Sequence, residues 1–375
     1  MERKPKRVLL MYISQVSGHR QSAAAIQKSL KALDPDGDVM SINGFGYIYP
    51  IMEKVINTAY LGVIKRVPQV WEYLYDNPKI IRACENLKQK IHKSSHKKLK
   101  ALIDEFKPDV VICTQAFPCG MVADYKVTYD LGFKVIGVLT DFAPHLYWLH
   151  EGVDSYIVPS EEAKERYVKE GVPPKKIKVF GIPIRMKFAE KLDKAAIGRR
   201  LGLDVHVPTV LVMGGGQGLG PMKDAVKSML FLQRPLQIIV IAGTNTKLVH
   251  WLKKIQRQTS KKIIFYDYAD NVDELMEVST LIVSKPGGMT TSECLAKGLP
   301  MVIVDPIPGQ EERNAQFLAA NGIAVRADDK NRIGRTIDAL LNDPAKIKAM
   351  RQAALARAKP LAAEHIARFV LGGTP

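Results

Sequence analysis

Three glycine-bearing segments, each behind an apolar run, hold the residue types that a phosphorylated ligand would need. The first is Ser17-Gly18-His19-Arg20. Glycine there lets the backbone approach a ligand, and a helix N-terminus offers unpaired N–H donors. A histidine at that place is able to act as a general base toward a hydroxyl; a capping or core histidine is the structural alternative. The second segment is Gly214-Gly215-Gly216-Gln217-Gly218-Leu219-Gly220-Pro221. It fails the dinucleotide spacing GxGxxG, because Gly216 and Gly218 would need glycine where Pro221 stands, and GxxxxGK[ST] is absent. What remains is a glycine loop feeding a helix, suited to a phosphate or to a tight structural turn.

The third segment is Ser284-Lys285-Pro286-Gly287-Gly288-Met289-Thr290-Thr291-Ser292-Glu293, followed by Asp305-Pro306-Ile307-Pro308-Gly309-Gln310-Glu311-Glu312-Arg313-Asn314. Two consecutive strand–loop–helix units place both loops at one sheet edge. Gly287, Gly288 and Thr290 offer N–H and hydroxyl groups to a diphosphate, and Glu293 is suited to the two hydroxyls of a ribose. Gln310, Glu311 and Asn314 suit the hydroxyls of a sugar. A diphosphate leaving group would be met by helix dipoles and by Lys285 or Arg185. No Asp-x-Asp follows a strand, and Asp34-Pro35-Asp36-Gly37-Asp38 reads as a turn. The expectation is therefore no metal and no cofactor.

Behind these loops lies an alternation of strands and helices that runs twice. Short apolar runs predict strands at 7–14, 38–42, 109–114, 134–141, 156–159 and 178–180, then at 209–213, 237–242, 262–266, 281–284, 301–304 and 324–326. Helices are expected at 18–33, 271–278 and 291–297 and in the gaps between other strands, and the C-terminal residues read as two helices broken at Pro360. This predicts an α/β protein of two Rossmann-like, doubly wound domains facing each other across a cleft. The join falls within 181–204, giving domains of 1–185 and 186–375, with the last helix able to return to the first domain.

The composition fits that reading: of 375 residues 46% are hydrophobic and 25% charged, which excludes a largely disordered chain. The four cysteines form no CxxC pair and no metal-ligand spacing with the eight histidines, as expected of a reduced, cytoplasmic protein. No apolar run is long enough to cross a bilayer, so membrane contact would be peripheral. The 55 Lys+Arg exceed the 38 Asp+Glu by 17. No modular nucleic-acid motif accompanies that charge, and no nucleic-acid partner is expected.

One stretch departs from the alternation. Residues 44–77 hold Phe45, Tyr47, Tyr49, Tyr60, Trp71, Tyr73 and Tyr75, and residues 79–100 carry eight Lys/Arg against one acid. One reading is an amphipathic helix pair with a solvated basic face. The other is a patch for an anionic membrane surface, with Trp71 among the aromatics and Lys88, Lys90, Lys93, Lys97 and Lys98 toward lipid.

Taken together, SKPGGMTTSE, DPIPGQEERNAQF, GGGQGLGP, SGHR and TDFAPHLYW (residues 140–148) resemble the lipid glycosyltransferases of GT-B fold. The closest likeness is to monogalactosyldiacylglycerol synthases and processive diacylglycerol glucosyltransferases, and a more distant one to the peptidoglycan lipid N-acetylglucosaminyltransferase. The resemblance runs from about residue 8 to 320. It implies an inverting, metal-independent transfer of a hexose from UDP-glucose or UDP-galactose to a lipid hydroxyl such as that of diacylglycerol. The enzyme would work on the inner face of the cell membrane, with acceptor and membrane binding in the first domain and UDP-sugar binding in the second. By that likeness His19 is the base, and Asp141 and His145 are a second acid/base or acceptor contacts, with Trp148 on the lipid side. Gly215 and Gly216 would face the diphosphate with Arg185, and Tyr268-Ala269 would pair with uracil. Glu293 would bind ribose, while Gln310 and Glu311, behind Gly309, would bind the sugar. A UDP-sugar epimerase or hydrolase on the same scaffold is the alternative, and the aromatic and basic stretch counts against it.

Overall fold

Strand β1 (Arg7–Tyr12) shows why these apolar runs form parallel strands. Leu9 and Met11 enter one core, while Val8, Leu10 and Tyr12 enter the core on the opposite face of the sheet. A strand covered on both sides has no face to give to polar residues, hence its continuous apolar sequence. The computed structural model describes residues 6–14, 17–50, 85–143 and 145–373. The chain divides into two units, Met1–Met186 with Lys359–Pro375, and Lys187–Ala358.

The first unit holds a six-stranded parallel sheet in the order β2 (Asp38–Asn43), β1, β3 (Val110–Cys113), β4 (Lys134–Val138), β5 (Ser155–Ile157), β6 (Ile177–Lys178). The second holds another six-stranded parallel sheet. Its order is β12 (Ala324–Arg326), β11 (Met301–Ile303), β10 (Leu281–Ser284), β7 (Thr209–Met213), β8 (Gln237–Ile241), β9 (Lys262–Tyr266). Each is doubly wound, and each reverses its winding once: between β1 and β3, and between β7 and β10. Such a reversal opens a crevice beyond the carboxyl ends of the two strands, where ligands bind in open α/β sheets.

Helix Gly18–Leu33 starts at Ser17, whose side chain accepts from the Arg20 amide. It buries Ser22, Ala23, Ile26, Ser29 and Leu30, a stripe at helical spacing. Against it packs the C-terminal helix Ala362–Val370, whose Ile366, Ala367 and Val370 share a core with Val8, Leu10, Ala23 and Ile26. The basic helix Glu85–Phe106 buries Leu99, Leu102, Ile103 and Phe106 in the opposite core. Each such side chain contributes roughly 1.5–3 kcal/mol. In that portion of the helix Lys97, Lys98 and Lys100 are exposed, as an amphipathic helix requires.

The differences from the expected strands are at their ends. Strand β4 stops at Val138 instead of continuing to 141, because β5 pairs with it over three residues only. Strand β6 is two residues long, at Ile177–Lys178, and residues 179–180 have left the sheet. Helix Gly288–Lys297 begins ahead of the expected 291, at the glycines themselves. Cys113, Cys119 and Cys294 are buried free thiols, whereas Cys84 lies outside the described residues.

Candidate active site

His19 stands in the first turn of helix Gly18–Leu33, directly after β1, and Thr114 follows β3 across the winding reversal. The fold thereby brings the two together. His19 Nδ1 lies 2.8 Å from the carbonyl oxygen of Thr114, and the Thr114 hydroxyl donates to the carbonyl of His19 at 2.9 Å. Thr140, in the loop left free by the early end of β4, sets its Oγ1 3.0 Å from the same Nδ1. A carbonyl only accepts, so Nδ1 carries the proton and Nε2 keeps the lone pair. Burial lowers the pKa of His19 below the usual imidazole value, opposed in part by the Thr114 hydrogen bond. The ring is therefore a neutral imidazole at pH 7. Thr114 and Thr140 were not among the expected site residues: both fell at the ends of expected strands, and only Thr140, as the first residue of TDFAPHLYW, lay in a quoted motif.

Asp141 adjoins Thr140 in the same loop and is half-buried. His145 is buried at 7% exposure; its Nδ1 accepts from the Tyr147 amide at 3.1 Å, and its ring stacks on Tyr147. Trp148 does not stand on a lipid-facing surface. It is packed in the core of the first unit, where Gly137 leaves room for its ring. Lys97 is exposed, but Lys98 has a structural partner: its Nζ donates to the carbonyl of Ile48 at 2.7 Å, closing the short helix Gly44–Ile48. Lys88, Lys90 and Lys93 lie along helix Glu85–Phe106, and Trp71 lies outside the described residues. Arg185 is half-buried at the end of the first unit.

In the second unit the glycine loop after β7 is built from two kinds of glycine. Gly214 and Gly218 are buried, and a Cβ on Gly218 would lie 1.9 Å from the carbonyl oxygen of Ala242. Asn245, which caps helix Thr246–Gln256, also donates to the Gly218 carbonyl at 3.0 Å, tying the loop to the end of β8. Gly215 and Gly216 are exposed instead, and a Cβ on Gly215 would meet nothing within 4 Å. The hydrogen bonds that tie the loop use the carbonyls of Gly214, Gly215, Gly216 and Gly218, not the amides of Gly215 and Gly216.

Across the reversal, β10 ends in the loop to helix Gly288–Lys297, capped by Gly287 without a side-chain bond. Gly288 is buried in the first turn and Thr290 is half-buried. Glu293 is 6% exposed beside Cys294, whose thiol is pushed well up by burial and further by that carboxylate. Lys285 is not an isolated cation: Nζ lies 3.7 Å from Asp305 Oδ2 and 3.7 Å from Glu311 Oε2. Glu311 Oε2 also accepts from the Ile307 amide at 2.7 Å. Gln310 opens helix Gln310–Ala320 behind Gly309 and is half-buried. Asn314 is not a sugar contact. It is fully buried, and its amide donates to the Pro286 carbonyl at 2.9 Å, holding the glycine turn in place. Beyond β9, Tyr268 is 71% exposed and Ala269 is buried. Among the described residues no group of three or more His, Cys, Asp or Glu is placed to hold a metal ion.

Two parallel doubly wound sheets with glycine loops at their switch points define a GT-B α/β protein. MurG of Acinetobacter baumannii shares the fold at a TM-score of 0.66 and 16% identity, over 98% of this chain and 100% of that one. The UDP-GlcNAc 2-epimerase of Neisseria meningitidis does so at 0.62 and 16%, over 98% and 100%. The fold alone is thus shared with an epimerase. The sequence is more specific. A family model described as monogalactosyldiacylglycerol (MGDG) synthase matches residues 19–184, and the glycosyltransferase family 28 C-terminal domain matches 209–366. Processive diacylglycerol β-glucosyltransferases of Bacillus mycoides (strain KBAB4) and Bacillus cereus (strain B4264) are each 32% identical over 99% of this chain and 94% of theirs. The chain belongs to this family of glycosyltransferases.

Proposed function

We propose that the protein transfers glucose from UDP-glucose to the free hydroxyl of diacylglycerol, with inversion, to give a β-linked glycolipid. The full-length relatives carry that acceptor, sugar and linkage in their names, which favours transfer over epimerisation and glucose over galactose. The observation that carries the mechanism is the Thr114 carbonyl on His19 Nδ1, which presents Nε2 as a base. In this reading Nε2 takes the acceptor proton as the hydroxyl oxygen attacks C1 of the sugar. The bond from C1 to the diphosphate oxygen breaks, and UDP leaves with the electron pair. Asp141 and His145 serve as acceptor contacts or a second acid/base.

The amides of Gly215, Gly216 and Gly288, the Thr290 hydroxyl and Arg185 meet the diphosphate. The Tyr268-Ala269 backbone pairs with uracil, Glu293 holds the ribose, and Gln310 and Glu311 hold the sugar. No metal takes part, so EDTA is expected to leave the rate unchanged. Contact with lipid is peripheral, through residues 44–100 on an anionic membrane; among the described residues no helix is long and apolar enough to cross one. His19→Ala should lower kcat by roughly 10²–10⁴-fold, the usual contribution of a general base, with UDP affinity near wild type. Loss of UDP binding in a folded variant would assign the histidine a different role.

A further inference from the structure

We propose that Lys285 is a positioning residue that fixes the Glu311 carboxylate toward the donor sugar, and not a cation for the diphosphate. The inference rests on the reading above, in which Glu311 meets the sugar. Lys285 sits between two carboxylates, each at 3.7 Å, so its charge is already more than balanced. The two pairs are not equal. The Asp305 side chain is 65% exposed, where water and salt weaken the attraction, while Lys285 and Glu311 are 12% and 18% exposed. The ammonium therefore acts chiefly on Glu311.

The geometry then sets a direction. Lys285 approaches Glu311 on Oε2, the same oxygen that accepts the Ile307 amide at 2.7 Å. A carboxylate held through one oxygen by an amide and an ammonium has its plane and its second oxygen defined. That second oxygen, Oε1, lies beside Gly287, where a Cβ would be 3.8 Å from it. The stem of Lys285 runs beside Gly220, at the end of the β7 loop, where a Cβ would stand 3.6 Å from its Cγ and Cδ. The lysine thus lies between the end of the β7 loop and the carboxylate after β11, and its removal takes away one of the contacts that orient Glu311.

UDP and UDP-glucose distinguish the two roles, because only the second has a sugar. For Lys285→Met we expect KM for UDP-glucose to rise about tenfold, the range of one charge-assisted hydrogen bond. The Kd for UDP, by calorimetry, should stay within about twofold and kcat should change less than KM. Lys285→Arg should restore KM, and Lys285→Met combined with Glu311→Gln should be no worse than Glu311→Gln alone. Should Lys285→Met fail to fold, Lys285→Gln carries the same comparison. A UDP Kd weakened as much as KM, or additive effects in the double variant, would overturn the proposal. The sugar reading fails separately, by a Glu311→Gln variant whose KM for UDP-glucose is that of wild type.

Discussion

In the proposed reading the glycine loop after β7 separates scaffold from ligand contact within a few residues, and two alanine substitutions test that division. Gly218 has φ +59° and Gly215 has φ +66°, so an alanine at either takes on the left-handed cost of about 1–2 kcal/mol. At Gly215 that is the whole cost, because no atom lies within 4 Å of the new Cβ. At Gly218 the Cβ would stand 1.9 Å from a backbone oxygen of Ala242 and 2.8 Å from Cβ of Asn245, and neither belongs to a flexible side-chain tip. The loop must separate from the end of β8, giving up the Asn245 bond to the Gly218 carbonyl as well. Adding a hydrogen bond of about 1 kcal/mol to the strain and overlap gives a loss of at least ~3 kcal/mol. At roughly 2–4 °C per kcal/mol for a unit of this size, Gly218→Ala should lower Tm by about 6–12 °C, and Gly215→Ala by about 2–8 °C. Calorimetric UDP binding supplies the second axis. Gly215→Ala, folded at 25 °C, should bind UDP roughly tenfold more weakly, because in the proposed reading its added methyl would crowd the diphosphate that the exposed loop faces. Wild-type UDP affinity in Gly215→Ala, or wild-type Tm in Gly218→Ala, would refute the division of the loop.

Other consequences follow from the same structure. Because burial lowers the His19 pKa, the neutral base persists below the ordinary imidazole range, so kcat/KM should hold between pH 8 and about 6.5 and fall only below it. The associated stability is present above the unfolded-state value and lost as pH falls through the folded one; an acid limb well above pH 7 would contradict the assignment. Asn314→Ala should lower Tm and weaken UDP-glucose binding together, since the buried Pro286 carbonyl loses its partner at about 1–3 kcal/mol; unchanged Tm would show that the glycine turn holds itself. Lys97→Gln should weaken binding to anionic liposomes without changing Tm. Lys98→Gln should lower Tm slightly, by about 0.5 kcal/mol of lost helix closure; equal Tm values for the two would remove the structural distinction.

The two sheets and their order of elements were legible because strands buried on both faces announce themselves as apolar runs, and the switch-point loops of the second unit because their glycines are consecutive. Strand ends were less legible. Leu139 is as apolar as Val138, and only the short β5 beside them shows where pairing stops. Pro286-Gly287-Gly288 reads as a turn, yet Gly287 caps a helix whose first hydrogen bond is Thr291 N–H to its own carbonyl at 2.9 Å. The family likeness puts Trp148 on the lipid side, and the space left by Gly137 on another element decides otherwise. Asn314 and Gln310 carry similar groups four residues apart, and the direction each takes from the helix follows from tertiary packing alone. The pairing of Lys98 with helix Gly44–Ile48 joins segments some 50 residues apart, beyond the reach of any local pattern.

The account is tested most directly by the product formed from labelled UDP-glucose and diacylglycerol in anionic mixed micelles, resolved by NMR at the anomeric centre. It predicts a β-glucosyl lipid released with one UDP per sugar, formed in the presence of EDTA. It also predicts that His19→Ala loses this product while binding UDP as wild type does. An epimerised or free sugar in place of glycolipid, an α-linked product, or wild-type turnover by His19→Ala would contradict it.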